Sequence, residues 1–305
     1  MKVLIIFAHP EPQSLNGALH RVAVEELEEQ GHHVQVSDLY KMKWKSEVDR
    51  EDFPNFPKDQ RLDLCALLVG IVGGGKVLED IGANNDFDLL ASYGYANLVI
   101  FCRTASAEAY AENSLTQDVL DEQAKLRWAD FVIFHFPLWW FTMPAILKGW
   151  VDRVYTYGFG HGLGEHSDKR WGDRYGEGTL TGKRAMLIVT LGGWKEHYSA
   201  RGISGPIEDV LFPINHGILF YPGFEVLPPF VAFRVHKTSF DEMASTLRKR
   251  MREIEFTKPI PYRNQNDGEY SIPTLTLHES HGGDLASGFG LHTRTEVETT
   301  DVKEA

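Results

Sequence analysis

The chain has 305 residues, 43% hydrophobic and 24% charged, an ordinary balance for a soluble globular protein with one large core or two modest ones. Its formal charge of −12 argues against a nucleic-acid or anionic-membrane surface, and no apolar run approaches the roughly 18 residues of a membrane span. The opening MKVLIIFAHP is too short and too early interrupted for a signal peptide, and the two cysteines, Cys65 and Cys102, give neither a disulfide framework nor a metal spacing; the expectation is a cytoplasmic protein that inserts in no membrane and holds no metal.

Val3 to Phe7 forms a short buried strand that opens into AHPEPQSLNGAL. Ser14 is a good N-cap, and Leu15, Leu19, Val22, Ala23 and Leu27 mark one helical face that stops at Gly31. The first strand-to-helix turn therefore sets His9, Ser14, Leu15 and Asn16 at a helix N-terminus, where free N–H groups and the dipole suit a phosphate. Val34 to Val36 is a second strand, and residues 41 to 60 form a polar loop with Pro54 and Pro57. Residues 61 to about 103 have apolar runs without a clean period. Gly70 to Lys76 matches GxxxxGK, but Val77 stands where a nucleotide-binding loop needs Ser or Thr. Helical signal resumes from Ser106, with Thr116 as a cap and Val119, Leu120, Ala124 and Leu126 as apolar positions.

The chain is organised around Phe131 to Tyr155, FVIFHFPLWWFTMPAILKGWVDRVY. Its first six residues fit a strand buried on both faces, ended by Pro137. Leu138, Trp139, Trp140 and Phe141 follow in a turn where three consecutive large aromatics cannot all point inward. Pro144 then starts a helix whose Leu147, Trp150, Val151 and Val154 share one face. Gly149, mid-helix, costs roughly 1 kcal/mol against Ala, which predicts a close neighbour. Ligands of open α/β sheets bind at the carboxyl ends of the strands, where this aromatic turn lies.

A glycine-rich loop, Gly158 to Gly164, carries Phe159 and His161. Ala185 to Thr190 is another strand, and Leu191, Gly192 and Gly193 at its end allow close approach to backbone. Pro206 opens a helix that Pro213 should bend or end. Gly217 to Phe220 and Phe224 to Leu227 are short apolar segments, the second the candidate last strand. Ser239 and Glu242 form a capping box for a helix through Met243, Leu247, Met251 and Ile254. The tail from residue 258 to 305 is irregular, expected to be mobile or laid over the surface. His278 to His281, HESH, falls one residue short of a zinc HExxH, and no G-x-S-x-G accompanies the serines.

FAHPEPQSLN, FPLWWFTMPAILKGWVDRV, TLGG with Tyr198, and GISGPIEDVLFP together resemble the NAD(P)H:quinone oxidoreductases, the DT-diaphorase-like branch of the flavodoxin-like flavoproteins. The resemblance covers residues 1 to about 57 and about 104 to 255, and PLWWF-x-MPAILKGW is its specific part. It implies an α/β fold with a doubly wound parallel sheet and helices on both faces, within a single domain over residues 1 to 257. It also implies an FAD-dependent homodimer, with flavin at the interface, that passes hydride from NADH or NADPH to a quinone in a ping-pong cycle. By resemblance, His9, Ser14, Leu15 and Asn16 hold the FAD pyrophosphate. Pro137, Leu138, Trp139, Trp140 and Phe141 bed the flavin ring, Thr190, Leu191, Gly192 and Gly193 meet its pyrimidine edge, and Tyr198 lies near its O2. Phe159, Gly160, His161 and Gly162 line the substrate pocket, with Tyr198 and His161 the catalytic candidates. Ser204 stands where well-studied animal members have a histidine, and residues 61 to about 103 have no counterpart, as a lineage-specific insertion or a translated intron would. Two alternatives remain: a flavin-bound regulatory subunit like those of potassium-efflux systems, and a reductase of azo or nitro compounds.

Overall fold

The computed structural model describes residues 1–54, 109–167, 169–272, 274–282 and 288–294. The 61–103 segment, with Cys65, Cys102 and the GxxxxGK match, lies outside the described residues, as does Ser106. In chain order the main elements are β1 (Lys2–Phe7), α1 (Leu15–Glu29), β2 (His33–Asp38), α2 (Gln117–Trp128), β3 (Phe131–Pro137) and α3 (Ala145–Val154). They continue with the short β4 (His166–Ser167) and β5 (Arg170–Trp171), β6 (Arg184–Thr190), α4 (Ile207–Ile214), β7 (Glu225–Val226), β8 (Phe230–Ala232) and α5 (Phe240–Glu253).

The strands run β2-β1-β3-β6, all parallel, with β7 and β8 both paired to β6 at its two ends. The edge strand is thus split. Pro228 and Pro229 stand between its halves and cannot donate to a ladder. This corrects the expectation of one last strand over Phe224 to Leu227: only Glu225–Val226 pairs there, and Phe230–Ala232 takes up the edge again beside Ile188–Thr190. Helices cover both faces. Phe131 and Ile133 of β3 face α1 and α5 with Leu19, Leu247 and Met251, while Val132, Phe134 and Phe136 face α2, α3 and α4 with Leu126, Trp150 and Leu211.

All of β3 is buried, as its almost uniformly apolar run requires, and His135 within it is buried with the rest. On α3, Leu147, Trp150, Val151 and Val154 are buried as expected, and Gly149 has its close neighbour: an added Cβ would collide with the Ser46 carbonyl oxygen. Helix α2 departs from its expected face. Ala124 is exposed, and Glu122 and Gln123 are buried instead. Glu122 accepts from Ser37 Oγ at 3.0 Å, Lys125 Nζ at 2.5 Å and Trp150 Nε1 at 2.8 Å, so one buried carboxylate ties α2 to β2 and α3. Thr116 sits at the N-cap of α2, but its hydroxyl caps nothing and accepts from Arg153 Nη2.

The α-helix ends at Ile214, one residue past Pro213, as expected, but the helical path itself goes on. The missing N–H of Pro213 breaks the α pattern inside α4, and the chain continues as a wider π-helix over Asn215–Phe220. Ser239 caps α5 by accepting from the Glu242 N–H, one half of the expected capping box. Beyond Thr257 the expected irregular tail holds a short antiparallel pair, Tyr270–Ser271 with Thr276–Leu277, and a helical turn, Gly288–Leu291, and its described part is laid against the domain. Tyr262, Arg263 and Gln265 are buried, and Tyr262 contacts Phe212, His216 and Phe220. Among the described residues no helix is long and apolar enough to cross a membrane, and no group of three potential ligands could hold a metal.

Candidate flavin-type active site

Three loops leave the carboxyl ends of β1, β3 and β6 at one end of the sheet, and the first is built around His9. Its Nδ1 lies 3.1 Å from the Glu11 N and 2.9 Å from Ser14 Oγ. With the Glu11 N–H donating to it, that nitrogen accepts, and the ring proton is assigned to Nε2. Ser14 Oγ in turn accepts from the Gly17 N–H at 3.1 Å and caps α1. The N–H groups of Leu15 and Asn16, in the first helical turn, have no intrahelical acceptor. The Asn16 side chain is buried and exchanges hydrogen bonds with Thr190 Oγ1 at 2.9 and 3.1 Å, bracing the first loop against the end of β6.

The second loop follows Pro137. Leu138 N–H donates to the Thr190 carbonyl, and Trp139 and Thr142 exchange backbone bonds across a tight turn. That turn forces φ of +50° on Trp140 and +62° on Phe141, a region costly for residues with a Cβ. It also leaves Trp140 93% and Phe141 54% exposed, with Trp139 at 41%. A strained turn that presents three large aromatics to solvent is a built apolar wall, since large exposed apolar patches mark binding surfaces.

The third loop, Leu191–Tyr198, closes the group. Tyr198 lies with ring centroids 6.5 Å from Phe141 and 6.0 Å from Phe233, and a Cβ on Gly193 would meet its ring at 2.8 Å. Gly193 must be glycine for Tyr198 to lie where it does. Gly192 is open, with nothing nearer a Cβ than the His236 ring at 3.7 Å. Ser204 donates its backbone N–H to the His197 carbonyl. Phe233, Arg234 and His236 were not foreseen. They follow β8, and the signal for them was the apolar run FVAF after Pro228-Pro229.

The structure brings His9, Ser14, Leu15, Asn16, Pro137 to Phe141, Thr190 to Gly193 and Tyr198 together, but not Phe159 to Gly162. Phe159 is fully buried in the core beneath Arg127, whose guanidinium lies 4.8 Å from its ring, so its side chain packs rather than contacts a substrate. His161 and Gly160 line a different cavity of about 520 Å³, with Phe53, Tyr155 and Arg153. None of its lining residues comes from the aromatic turn or the Leu191–Tyr198 loop. Within it Arg153 is saturated: Nε on Asp52 at 2.8 Å, Nη1 on Asp118 at 2.5 Å and on the Lys45 carbonyl at 3.0 Å. Burial is the largest influence on the Asp118 carboxylate and would raise it, but the hydrogen bonds and charge of Arg153, with hydrogen bonds from Thr116 and the Val119 N–H, together hold the group below its ordinary value.

Behind the first two loops, His135 is fully buried beside Phe7 and His20. Burial, then the nearby His20 and His9, hold its imidazole well below the usual histidine range. Burial also lowers His20, stacked on Phe7 at 4.5 Å, to about 4.

Sheet order and converging loops at the strand ends define a flavodoxin-like α/β protein. The chain belongs to the family described by that fold, which matches over residues 1–254. A Penicillium crustosum protein named a ribosyldihydronicotinamide dehydrogenase-like protein is 87% identical over 305 residues, all of both chains, so the aligned length includes residues 61–103. The Mus musculus ribosyldihydronicotinamide dehydrogenase (quinone) is 38% identical over 262 residues, 85% of this chain and 94% of its own. A solved protein from Klebsiella pneumoniae with a provisional quinone reductase name is 48% identical, with a TM-score of 0.79, covering 96% of this chain and 99% of the other.

Proposed function

We propose that the chain is a flavin-dependent quinone reductase that binds FAD and takes hydride from a reduced nicotinamide, NADH, NADPH or the simpler riboside. The observation that carries it is the strained, exposed aromatic wall facing the glycine loop. A flat tricyclic ring needs apolar walls and a few fixed donors, and the open backbone at Gly192 and the wall at Trp139 to Phe141 fit that need. His9 Nε2 and the first-turn N–H groups of α1 offer donors to the phosphate or pyrophosphate of a flavin nucleotide. When bound, the flavin supplies two-electron hydride chemistry.

The chain's own residues bind, orient and donate. Asn16 and Thr190 fix the spacing of two loops through their buried hydrogen bonds. Tyr198 holds a proton on its hydroxyl beside Gly193, where it can donate to the polar edge of the bound ring. Ser204 does not titrate near neutrality and adds no histidine-like pH step. We further propose a homodimer: a second copy would cover Trp140 and bring its own His161 loop toward the acceptor side.

The test is stopped-flow absorbance at the flavin band. Tyr198→Phe should slow reduction by the nicotinamide roughly ten- to a hundredfold, the lower range for losing a positioned donor. Ser204→Ala should leave reduction nearly unchanged. An unaltered rate in Tyr198→Phe would return Tyr198 to packing alone.

A further inference from the structure

In an acidic chain, the rim of the third loop is locally basic. Residues 190–205 and 230–239 meet where the Arg234 N–H donates to the Gly193 carbonyl at 3.0 Å. Between them they hold Lys195, Arg201, Arg234 and Lys237 against one carboxylate, Glu196. Among the described residues none of these four cations has an ion-pair partner. A net charge of −12 repels anions at long range, so a local surplus of cations is what would hold one here.

Arg234 is the most constrained of the four. Its φ is +50°, its guanidinium carbon lies 3.5 Å from the Trp194 ring centroid, and its Nε is buried without a hydrogen-bond partner. A left-handed backbone at a residue with a Cβ and an unmet buried N–H both cost free energy. Stacking occupies the face of a guanidinium and leaves its in-plane N–H fork for a planar anion. Trp194, in turn, caps the 3₁₀ turn Lys195–Tyr198, and Phe233, next to Arg234, lies 6.0 Å from the Tyr198 ring. The cation is therefore anchored to the residues that form the proposed redox site.

We infer that Arg234, with Lys195 next to its stacking partner Trp194 in the chain and Lys237 turned onto it by the N–H donated to the Arg234 carbonyl, forms an anion subsite at the lip of the Leu191–Tyr198 loop that takes a carboxylate or phosphate group of one of the two substrates. The subsite rests on the oxidoreductase reading above. It explains why an arginine is held over Trp194 in a strained conformation with a donor unmet. It also gives the site a preference between charged and neutral partners that the apolar wall cannot supply.

The test uses flavin-loaded wild type, Arg234→Gln, Arg234→Lys and the exposed double variant Lys195→Gln/Lys237→Gln. Each is assayed with two matched pairs: NADPH against the uncharged dihydronicotinamide riboside, and a carboxylated naphthoquinone against its neutral parent. In one pair, Arg234→Gln should raise KM for the anionic member about ten- to a hundredfold more than for the neutral one, with little change in kcat. Arg234→Lys should recover part of that difference, and the double variant should flatten the salt dependence of the anionic member. The pair that responds tells whether the anion belongs to the donor or the acceptor. Equal losses within both pairs, or none, overturn the subsite; neutral substrates still turned over would leave the oxidoreductase reading standing. Should Arg234→Gln fail to fold, the double variant decides by the same criterion. A flavin-loaded wild type that turns over no pair sinks both proposals together.

Discussion

Phe131 to Tyr155 holds two opposite solutions to the same problem, where to put large side chains. In β3 every residue is buried, and in α3 one whole face is, including Trp150 and the charged Arg153. In the four residues between Pro137 and Thr142, three aromatics are left in solvent, and two of them carry left-handed backbone. The buried parts follow what stability asks for. The turn goes against it, and strain retained against stability is the mark of a surface built to hold something else. Mutations should therefore separate the two parts cleanly, with stability lost in one and ligand binding lost in the other.

The largest effect should come from Arg153. Arg153→Ala leaves Asp52, 8% exposed at its side chain, without its partner at 2.8 Å. Removing one member of a buried pair typically costs about 3–5 kcal/mol. Urea unfolding should show that loss, while the flavin retained per folded chain stays near the wild-type value. A stability change below about 1 kcal/mol would mean that the pair is not the anchor its geometry describes.

A smaller effect concerns pH. The folded pKa of His20 is about 4, below the ordinary 6.5, because burial disfavours its charged form. The unfolded chain then binds more protons between those values, so this contribution is fully present above about pH 6.5 and is lost as pH falls toward 4. His135 acts in the same direction. Unfolding measured at pH 7 and pH 5 should show wild type losing stability on acidification, and His20→Gln losing less. An equal loss in both would remove His20 from the account.

The smallest stability effect belongs to the aromatic turn. Trp140→Ala removes an exposed side chain and should change stability by no more than about 0.5 kcal/mol. Its effect should instead appear in flavin content, measured by absorbance after purification. Loss of stability with full flavin content would reverse the comparison.

Much of the frame was legible because it is written locally. An almost uniformly apolar run marks β3, a shared helical face marks α3, and Ser14 and Ser239 mark helix starts. What was missed depends on partners distant in sequence. Glu122 is a carboxylate that no apolar pattern places inside, and it is buried because Ser37, Lys125 and Trp150 surround it. Arg153 carries no local signal of its burial, because its partner Asp52 lies 101 residues away. Strand β8 was hidden because Pro228 and Pro229 break the pattern that a continuous edge strand would show. Phe159 belonged to a glycine-rich loop in sequence and to the core in space. In the site, the three loops could be named in advance. The stack of Arg234 on Trp194 could not, since it joins side chains that only the β6–β8 pairing brings side by side.

The central claim is that the aromatic turn, the Leu191–Tyr198 loop and the α1 N-terminus hold the two ends of a flavin dinucleotide. The direct measurement is chromatography of the flavin released when the purified protein is denatured, quantified against protein. The account predicts FAD, close to equimolar with the chain. A colourless protein that takes up no FAD, or one that releases FMN alone, would contradict it.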